Sequence, residues 1–457
     1  MKERSSFTSR IGFVLAAAGS AVGLGNLWRF PYLAAKYGGG AFLIIYILLA
    51  VTFGFTLMIT EIALGRRTRL SCIEAYAKLD KRFAALGWLS ALIPVIITPY
   101  YCVIGGWVIK YFAEFARGNM AAMAGDSYFG DFIAGSGSGL FEAPMFWFLI
   151  YVLLTAAVVL FGVEKGIEKA SRFLMPVLVL LSIGVAVYSL TLPGSMDGLK
   201  YYLLPDLKDV SVTTVLAAMG QLFYSMSLAM GIMITYGSYM KEEDNLEKSV
   251  AQIEIFDTGI AFLAGLMIVP AVVAFNGGDA SLIRGQAGPG LMFGVLPKVF
   301  SSMNMGGLFG TAFFLLVLFA ALTSSISLLE TVVSIVQDKA KLGRKTATVA
   351  STAAILLLGI PSCLGYGPLS GIKLLGMQFL DFFDFISNSV LMPVAAIGTC
   401  VFVGHVIGSR FVEEEVESSG EFKRKRLYQV MLRWIAPVML AAILVGELLK
   451  YFGVISI

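Results

Sequence analysis

Charged side chains make up only 14% of the 457 residues, against 58% hydrophobic, and histidine occurs once, at His405. Soluble domains carry about a quarter charged residues, so neither a single water-soluble core nor a disordered chain fits. The four cysteines, Cys72, Cys102, Cys363 and Cys400, are scattered with no CxxC pair, which argues against a disulfide framework or a thiolate metal site. Excess charge of one sign is missing too, and a formal net charge of +4 gives no reason to expect nucleic acid as a partner. Neither HExxH nor GxSxG occurs, and the lone histidine, near the end of an apolar run, fits an interface better than a catalytic centre. The chain is therefore not read as an enzyme. No small-residue cleavage site follows a short apolar core after MKERSSFTSR, so a cleaved signal peptide is not expected.

What the chain does have is long apolar runs. At about 20 residues per bilayer crossing, they predict an all-α polytopic membrane protein with eleven transmembrane helices, near 10–36, 41–65, 84–116, 144–162, 168–191, 212–239, 250–275, 306–338, 346–361, 374–409 and 428–452. Basic residues test this count, because they gather in cytoplasmic connections. Lys2, Arg4 and Arg10 precede the first span, and Arg66, Arg67, Arg69, Lys78, Lys81 and Arg82 follow the second. Summed over alternate connections, Lys and Arg favour the N-terminal side by about three to one. The N-terminal segment 1–9 and the connection 410–427 are thus expected in the cytoplasm. The end of the last helix, within 428–457, is expected outside the cell membrane.

Two outer segments are long. The stretch 117–143, with GSGSG from Gly135 to Gly139, reads as a solvated linker, whereas 276–305 contains the apolar piece LMFGVLPKVF and could fold back as a lid. The charge run EEEVE, Glu413 to Glu417, reads as a solvated connection.

The first span contains GSAVGLGNLWRFP, Gly19 to Pro31. Close packing through small residues would explain the glycines but not Asn26 or Arg29, so the backbone is expected to open inside the protein. The sixth span carries GQLFYSMSLAMGIMITYGSY, Gly220 to Tyr239, again with serines and glycines at mid-depth. Interruptions in the first and sixth spans suggest two five-helix halves, 10–191 and 192–409, followed by one extra C-terminal helix. This is the pattern of an inverted-repeat transporter with its site at the membrane midplane. There, a half-helix N-terminus offers NH groups to an anion while freed carbonyls coordinate a monovalent cation. Thr323, Ser324 and Ser325 lie together in the eighth span. A single hydroxyl usually bonds back to its own helix, but three beside two broken helices suit a weakly held sodium better than a divalent ion.

With SAVGLGNLWRFP, GGGAF (Gly38 to Phe42), EIALGR (Glu61 to Arg66), Tyr100 with Tyr101, SLAMG (Ser227 to Gly231), LTSS (Leu322 to Ser325) and LDFFD (Leu380 to Asp384), the chain resembles the neurotransmitter:sodium symporter family, and within it the shorter bacterial amino-acid transporters. The inverted-repeat rule was itself framed partly on this family. The resemblance implies a first sodium held by Ala21, Asn26, Ser225, Asp257 and the substrate carboxylate, and a second held by Gly19, Val22, Ala320, Thr323 and Ser324. It implies a substrate carboxylate at Gly25 and Tyr101, an ammonium near Ala21, Tyr224 and Ser227, and a side-chain pocket of Ile97, Tyr224, Met230, Ser324 and Leu328. An outer gate would join Arg29 and Asp384; an inner one would join Arg4 and Asp338 near Tyr239 and Phe7. Gly166 and Pro176 match the family's spacing for local unwinding of the fifth span.

Two features depart from the family pattern. Chloride-dependent members place a serine one turn beyond the asparagine of the first sodium site, and the corresponding positions here are Asp257 and Ala261. Asp257 is therefore read as a built-in substitute for chloride. The apolar pocket residues imply a neutral hydrophobic or aromatic amino acid, several related ones being accepted. The expected partners are thus this substrate, two sodium ions and the lipid bilayer, with no protein partner required. A proton-coupled permease of the same architecture is the nearer alternative, because Glu61 and Asp257 are carboxylates at depth; an ion channel is the more distant one.

Overall fold

The computed structural model describes residues 5–206, 208, 210–284 and 289–454. Among these there is no β-strand, only the isolated bridges Gly39 to Pro205 and Leu374 to Met377. Eight helices are long and apolar enough to cross a membrane: Gly40–Thr68, Lys81–Ala116, Val163–Thr191, Leu246–Phe275, Gly306–Ala340, Arg344–Leu364, Phe379–Val406 and Lys425–Tyr451. A further crossing is bent, with Arg10–Ala21 and Gly25–Lys36 meeting at 53°. The fourth and sixth expected spans are shorter. Pro144–Leu160 is a 17-residue helix, and Val212–Ser225 is separated from Ile232–Gly237 by a break. Among the described residues, membrane-length crossings therefore number eight, or nine with the bent pair, against the eleven expected.

Burial separates the bundle into centre and periphery. In Lys81–Ala116 and Gly306–Ala340 the apolar stretch is 83% and 78% buried, against 28% in Lys425–Tyr451, so the third and eighth spans form the scaffold while the last helix lies outside. Small residues bring the elements close: a Cβ on Gly65 would lie 1.8 Å from the carbonyl oxygen of Ile234, and one on Gly237 would lie 2.3 Å from that of Ile62. These contacts clamp the second span against the second half of the sixth.

Both outer segments contain helices among their described residues. Gly290–Val295 and Leu296–Ser301 are short helices, and Phe293 stands among Trp28, Trp107, Tyr111 and Phe129 with ring centroids 4.9–6.2 Å away. The stretch 117–143 is not simply a solvated linker. Its GSGSG piece is exposed, but Phe132 is buried, and Lys110 binds Glu142 at 2.8 Å and Glu114 at 3.0 Å. Aromatic rings every few residues gave that stretch enough apolar area to dock.

The EEEVE run is likewise anchored. The buried Arg66 donates Nε to Glu415 Oε1 at 2.5 Å and Nη1 to the Asp244 carbonyl at 2.8 Å, so one guanidinium ties three connections together. Charge spacing alone did not reveal a partner so distant in sequence.

Candidate functional site

The helical ladder of the first span ends at Ala21, and Val22 is extended before the chain resumes a helix-like course at Leu24. In the sixth, Ser227, Ala229 and Gly231 have φ of +54°, +63° and +72°. Left-handed backbone at Ser and Ala costs of order 1 kcal/mol each and persists only where the surroundings hold it. Glu61 supplies one such hold, its Oε1 accepting from the Ala229 amide at 2.6 Å. The two breaks face each other, joined by Ser227 Oγ donating to the Ser20 carbonyl at 2.9 Å.

Between them lies a cavity of about 40 Å³ lined by all nine residues expected to meet substrate: Ala21, Gly25, Ile97, Tyr101, Tyr224, Ser227, Met230, Ser324 and Leu328. Ser20, Leu24 and Ile232 join the lining without having been singled out in the sequence. A Cβ on Gly25 would come within 2.9 Å of the Tyr224 ring, and one on Gly23 within 2.6 Å of Ser324 Oγ, which explains why glycines stand here. The Tyr101 hydroxyl accepts from the Leu24 amide at 3.4 Å.

Asp257 anchors the first expected ion site. Its Oδ1 accepts from Asn26 Nδ2 at 2.8 Å and Ser225 Oγ at 2.9 Å, and its Oδ2 accepts from the Tyr46 hydroxyl at 3.2 Å. The carboxylate is fully buried, and among the described residues no Lys, Arg or His forms an ion pair with it. A buried carboxylate balanced only by neutral donors is the setting in which a monovalent cation is favourable. Gln221 Nε2 donates to the Gly25 carbonyl at 2.9 Å nearby. Neither Tyr46 nor Gln221 was picked out from the sequence, although a glutamine at mid-depth in the GQLFY stretch is a signal that could have found Gln221.

The residues expected at the second ion site also lie close together. Ser324 Oγ stands 3.4, 3.0 and 3.3 Å from the carbonyl oxygens of Gly19, Ser20 and Val22, and Thr323 Oγ1 bonds the Ala320 carbonyl at 3.0 Å. These oxygens are neutral, as suits sodium rather than calcium.

The outer gate residues stand apart. Arg29 lies over the Tyr224 ring at 5.1 Å, while Asp384 accepts from Tyr100 at 3.1 Å and Asn388 at 2.6 Å. No salt bridge joins Arg29 to Asp384; both line a vestibule of about 330 Å³ above the cavity. On the inner side Arg4 lies outside the described residues, and Asp338 accepts from the Ser71 amide at 2.8 Å. Tyr239 donates to Glu330 at 2.8 Å, and Arg344 pairs with the same carboxylate. Glu330 and Arg344 had no assigned role in the sequence reading. Gly166 falls within a π-helical turn, Val163–Glu168, and Pro176 lies inside the helix that follows.

The sodium:neurotransmitter symporter family model matches residues 4–129 and 136–455. The chain belongs to this family. It is a sodium-dependent symporter and a multi-pass membrane protein. Among its relatives is the sodium-dependent transporter YhdH of Bacillus subtilis (strain 168), 37% identical over 98% of both chains. A sodium-dependent transporter of Haemophilus influenzae is 32% identical over 98% of this chain and 99% of its own. The human sodium- and chloride-dependent GABA transporter 2 is 26% identical over 98% of this chain and 81% of its own. The crystal structure of MhsT in complex with L-phenylalanine superposes with a TM-score of 0.86 at 36% identity, covering 97% of this chain and all of that one. Family membership makes sodium the coupling ion and sets aside the proton-coupled and channel alternatives.

Proposed function

We propose that this symporter imports a neutral hydrophobic or aromatic amino acid with two sodium ions, independently of chloride, by alternating access. The observation that carries this reading is the juxtaposition of the two helix breaks, the apolar cavity and the unpaired buried Asp257. In it, the substrate carboxylate meets the amide-rich start of Gly25–Lys36 and the Tyr101 hydroxyl, and its ammonium takes the carbonyls freed near Ala21, Tyr224 and Ser227. The side chain faces Ile97, Met230 and Leu328. The phenylalanine bound to the similar MhsT supports this class of substrate.

Sodium at Ala21, Asn26, Ser225 and Asp257 ligates the substrate carboxylate directly, so each binding event preorganises the other. Asp257 supplies the fixed negative charge that chloride supplies in chloride-dependent relatives. The second sodium, at Gly19, Val22, Ala320, Thr323 and Ser324, ties the first span to the eighth. Two charges moving through 100 mV release roughly 4–5 kcal/mol, enough for about a thousandfold accumulation. Arg29 and Asp384 close the vestibule when substrate is bound, and Arg4, Asp338 and Tyr239 open on the inner side. The basic connections place the N-terminus in the cytoplasm and the C-terminus outside, with the five-helix halves 10–191 and 192–409 related as inverted repeats.

The test is uptake into proteoliposomes with a panel of amino acids, sodium replaced in turn by lithium, potassium and a proton gradient, with and without chloride. Saturable, sodium-dependent uptake of apolar amino acids is expected whether or not chloride is present. A charged or strongly polar preferred substrate would overturn the pocket assignment.

A further inference from the structure

On the flank of the bundle, away from the transport cavity, a groove of about 1010 Å³ runs between the second span, the first turns of Leu246–Phe275 and the connection into the last helix. Ile47, Val51 and Ile255 line it and are 41%, 42% and 70% exposed. Its rim carries Glu247, Lys248, Glu254, Glu421, Lys423 and Arg424, acids and bases in equal number.

These charges differ in what they have left to give. Glu247 accepts from the backbone amides of Lys423 and Arg424 at 2.8 and 3.1 Å, and the Arg424 guanidinium bridges Glu247 and Glu254 at 3.4 and 3.1 Å while covering the Phe55 ring. Lys248 and Lys423 are exposed, and among the described residues neither ammonium has a carboxylate partner. Glu254 is 4% exposed, yet its Oε1 has no hydrogen-bond partner. Two free ammonium groups and one buried, unused acceptor thus stand at the head of an apolar trough.

We propose that this groove binds one phosphatidylethanolamine molecule. Lys248 and Lys423 hold the phosphate, the primary ammonium of the headgroup donates to Glu254 Oε1, and an acyl chain lies along Ile47, Val51 and Ile255. A bilayer lipid fits because the trough is walled by apolar faces of membrane-crossing helices. The balanced rim favours a zwitterionic headgroup over an anionic one. Choline has no N–H to offer the carboxylate, so ethanolamine is the headgroup that satisfies Glu254.

The experiment is native mass spectrometry of the full chain in mild detergent, with phosphatidylethanolamine, phosphatidylcholine and phosphatidylglycerol of matched acyl chains in competition. One ethanolamine lipid per chain is expected, preferred over the choline lipid by about tenfold, the effect of one charge-assisted hydrogen bond. The K248A/K423A variant, altered only at exposed positions, loses retention of all three lipids. Glu254→Gln keeps phosphate binding but narrows the preference for ethanolamine over choline. Equal retention of the ethanolamine and choline lipids, preference for phosphatidylglycerol, or retention unchanged in K248A/K423A would each overturn the proposal, and an unchanged preference in Glu254→Gln would overturn the ammonium assignment.

Discussion

Asp257 is the key to the proposed chemistry at the scale of single residues, because Asn26, Ser225 and Tyr46 converge on its carboxylate and no cationic side chain among the described residues pairs with it. Asp257→Asn keeps the shape and removes the charge. Sodium-coupled uptake in chloride-free medium should fall by about tenfold or more, since a buried charge-assisted interaction is lost, and added chloride should restore part of it; radiolabelled uptake with gluconate replacing chloride is the check. Ser324 is a second such residue, its hydroxyl within 3.4 Å of three first-span carbonyls. Ser324→Ala should raise the half-saturating sodium concentration by about five- to tenfold with less effect on maximal rate, consistent with loss of one ligand of about 1 kcal/mol. A sodium titration of uptake reads this directly. Asp257 and Ser324 were legible in the sequence as polar groups at depth in the seventh and eighth spans. Tyr46 was not, because it acts through a partner 211 residues away, nor was Glu330, which joins Arg344 to the distant Tyr239.

Breaks and their supports decide behaviour at the scale of elements. The interruption of the sixth span is held in left-handed backbone at Ser227, Ala229 and Gly231, with Glu61 capping the Ala229 amide. Ala229→Gly relieves a conformation that alanine adopts at a cost, so the folded protein should be unchanged or up to about 1 kcal/mol more stable. Thermal unfolding followed by tryptophan fluorescence would show this as a Tm that does not fall. The connections respond in the opposite direction. Arg66 is buried and joins Glu415 to the Asp244 carbonyl, so Arg66→Ala strands a carboxylate and should cost about 3–5 kcal/mol. Loss of monodisperse protein on size exclusion at raised temperature would report it. The broken helices were legible because glycine, proline and buried polar residues cannot sit cheaply in a lipid-facing helix. The docking of 117–143 and of EEEVE was not, because surface segments carry no periodicity that names their partner.

Sodium and substrate should behave as folding ligands at the scale of the whole molecule, since both proposed ion sites join separate spans. At sodium concentrations about 100-fold above its dissociation constant, stabilisation approaches 2.7 kcal/mol. A Tm that rises with sodium, rises further with an apolar amino acid and is indifferent to potassium is the expected result. Composition and apolar runs by themselves determined that the chain is a polytopic helical membrane protein, because a bilayer crossing demands about 20 apolar residues whatever the neighbours are. The motifs of the first, sixth and eighth spans determined its kinship. What only the tertiary structure decided is which polar groups meet. It set Asp257 against Asn26, Ser225 and Tyr46, parted Arg29 from Asp384 across an open vestibule, and left Glu254 Oε1 without a donor beside an apolar groove. Such encounters depend on how helices distant in sequence rotate and pack, and hydrophobic periodicity constrains which face turns inward without saying which residue it will meet there.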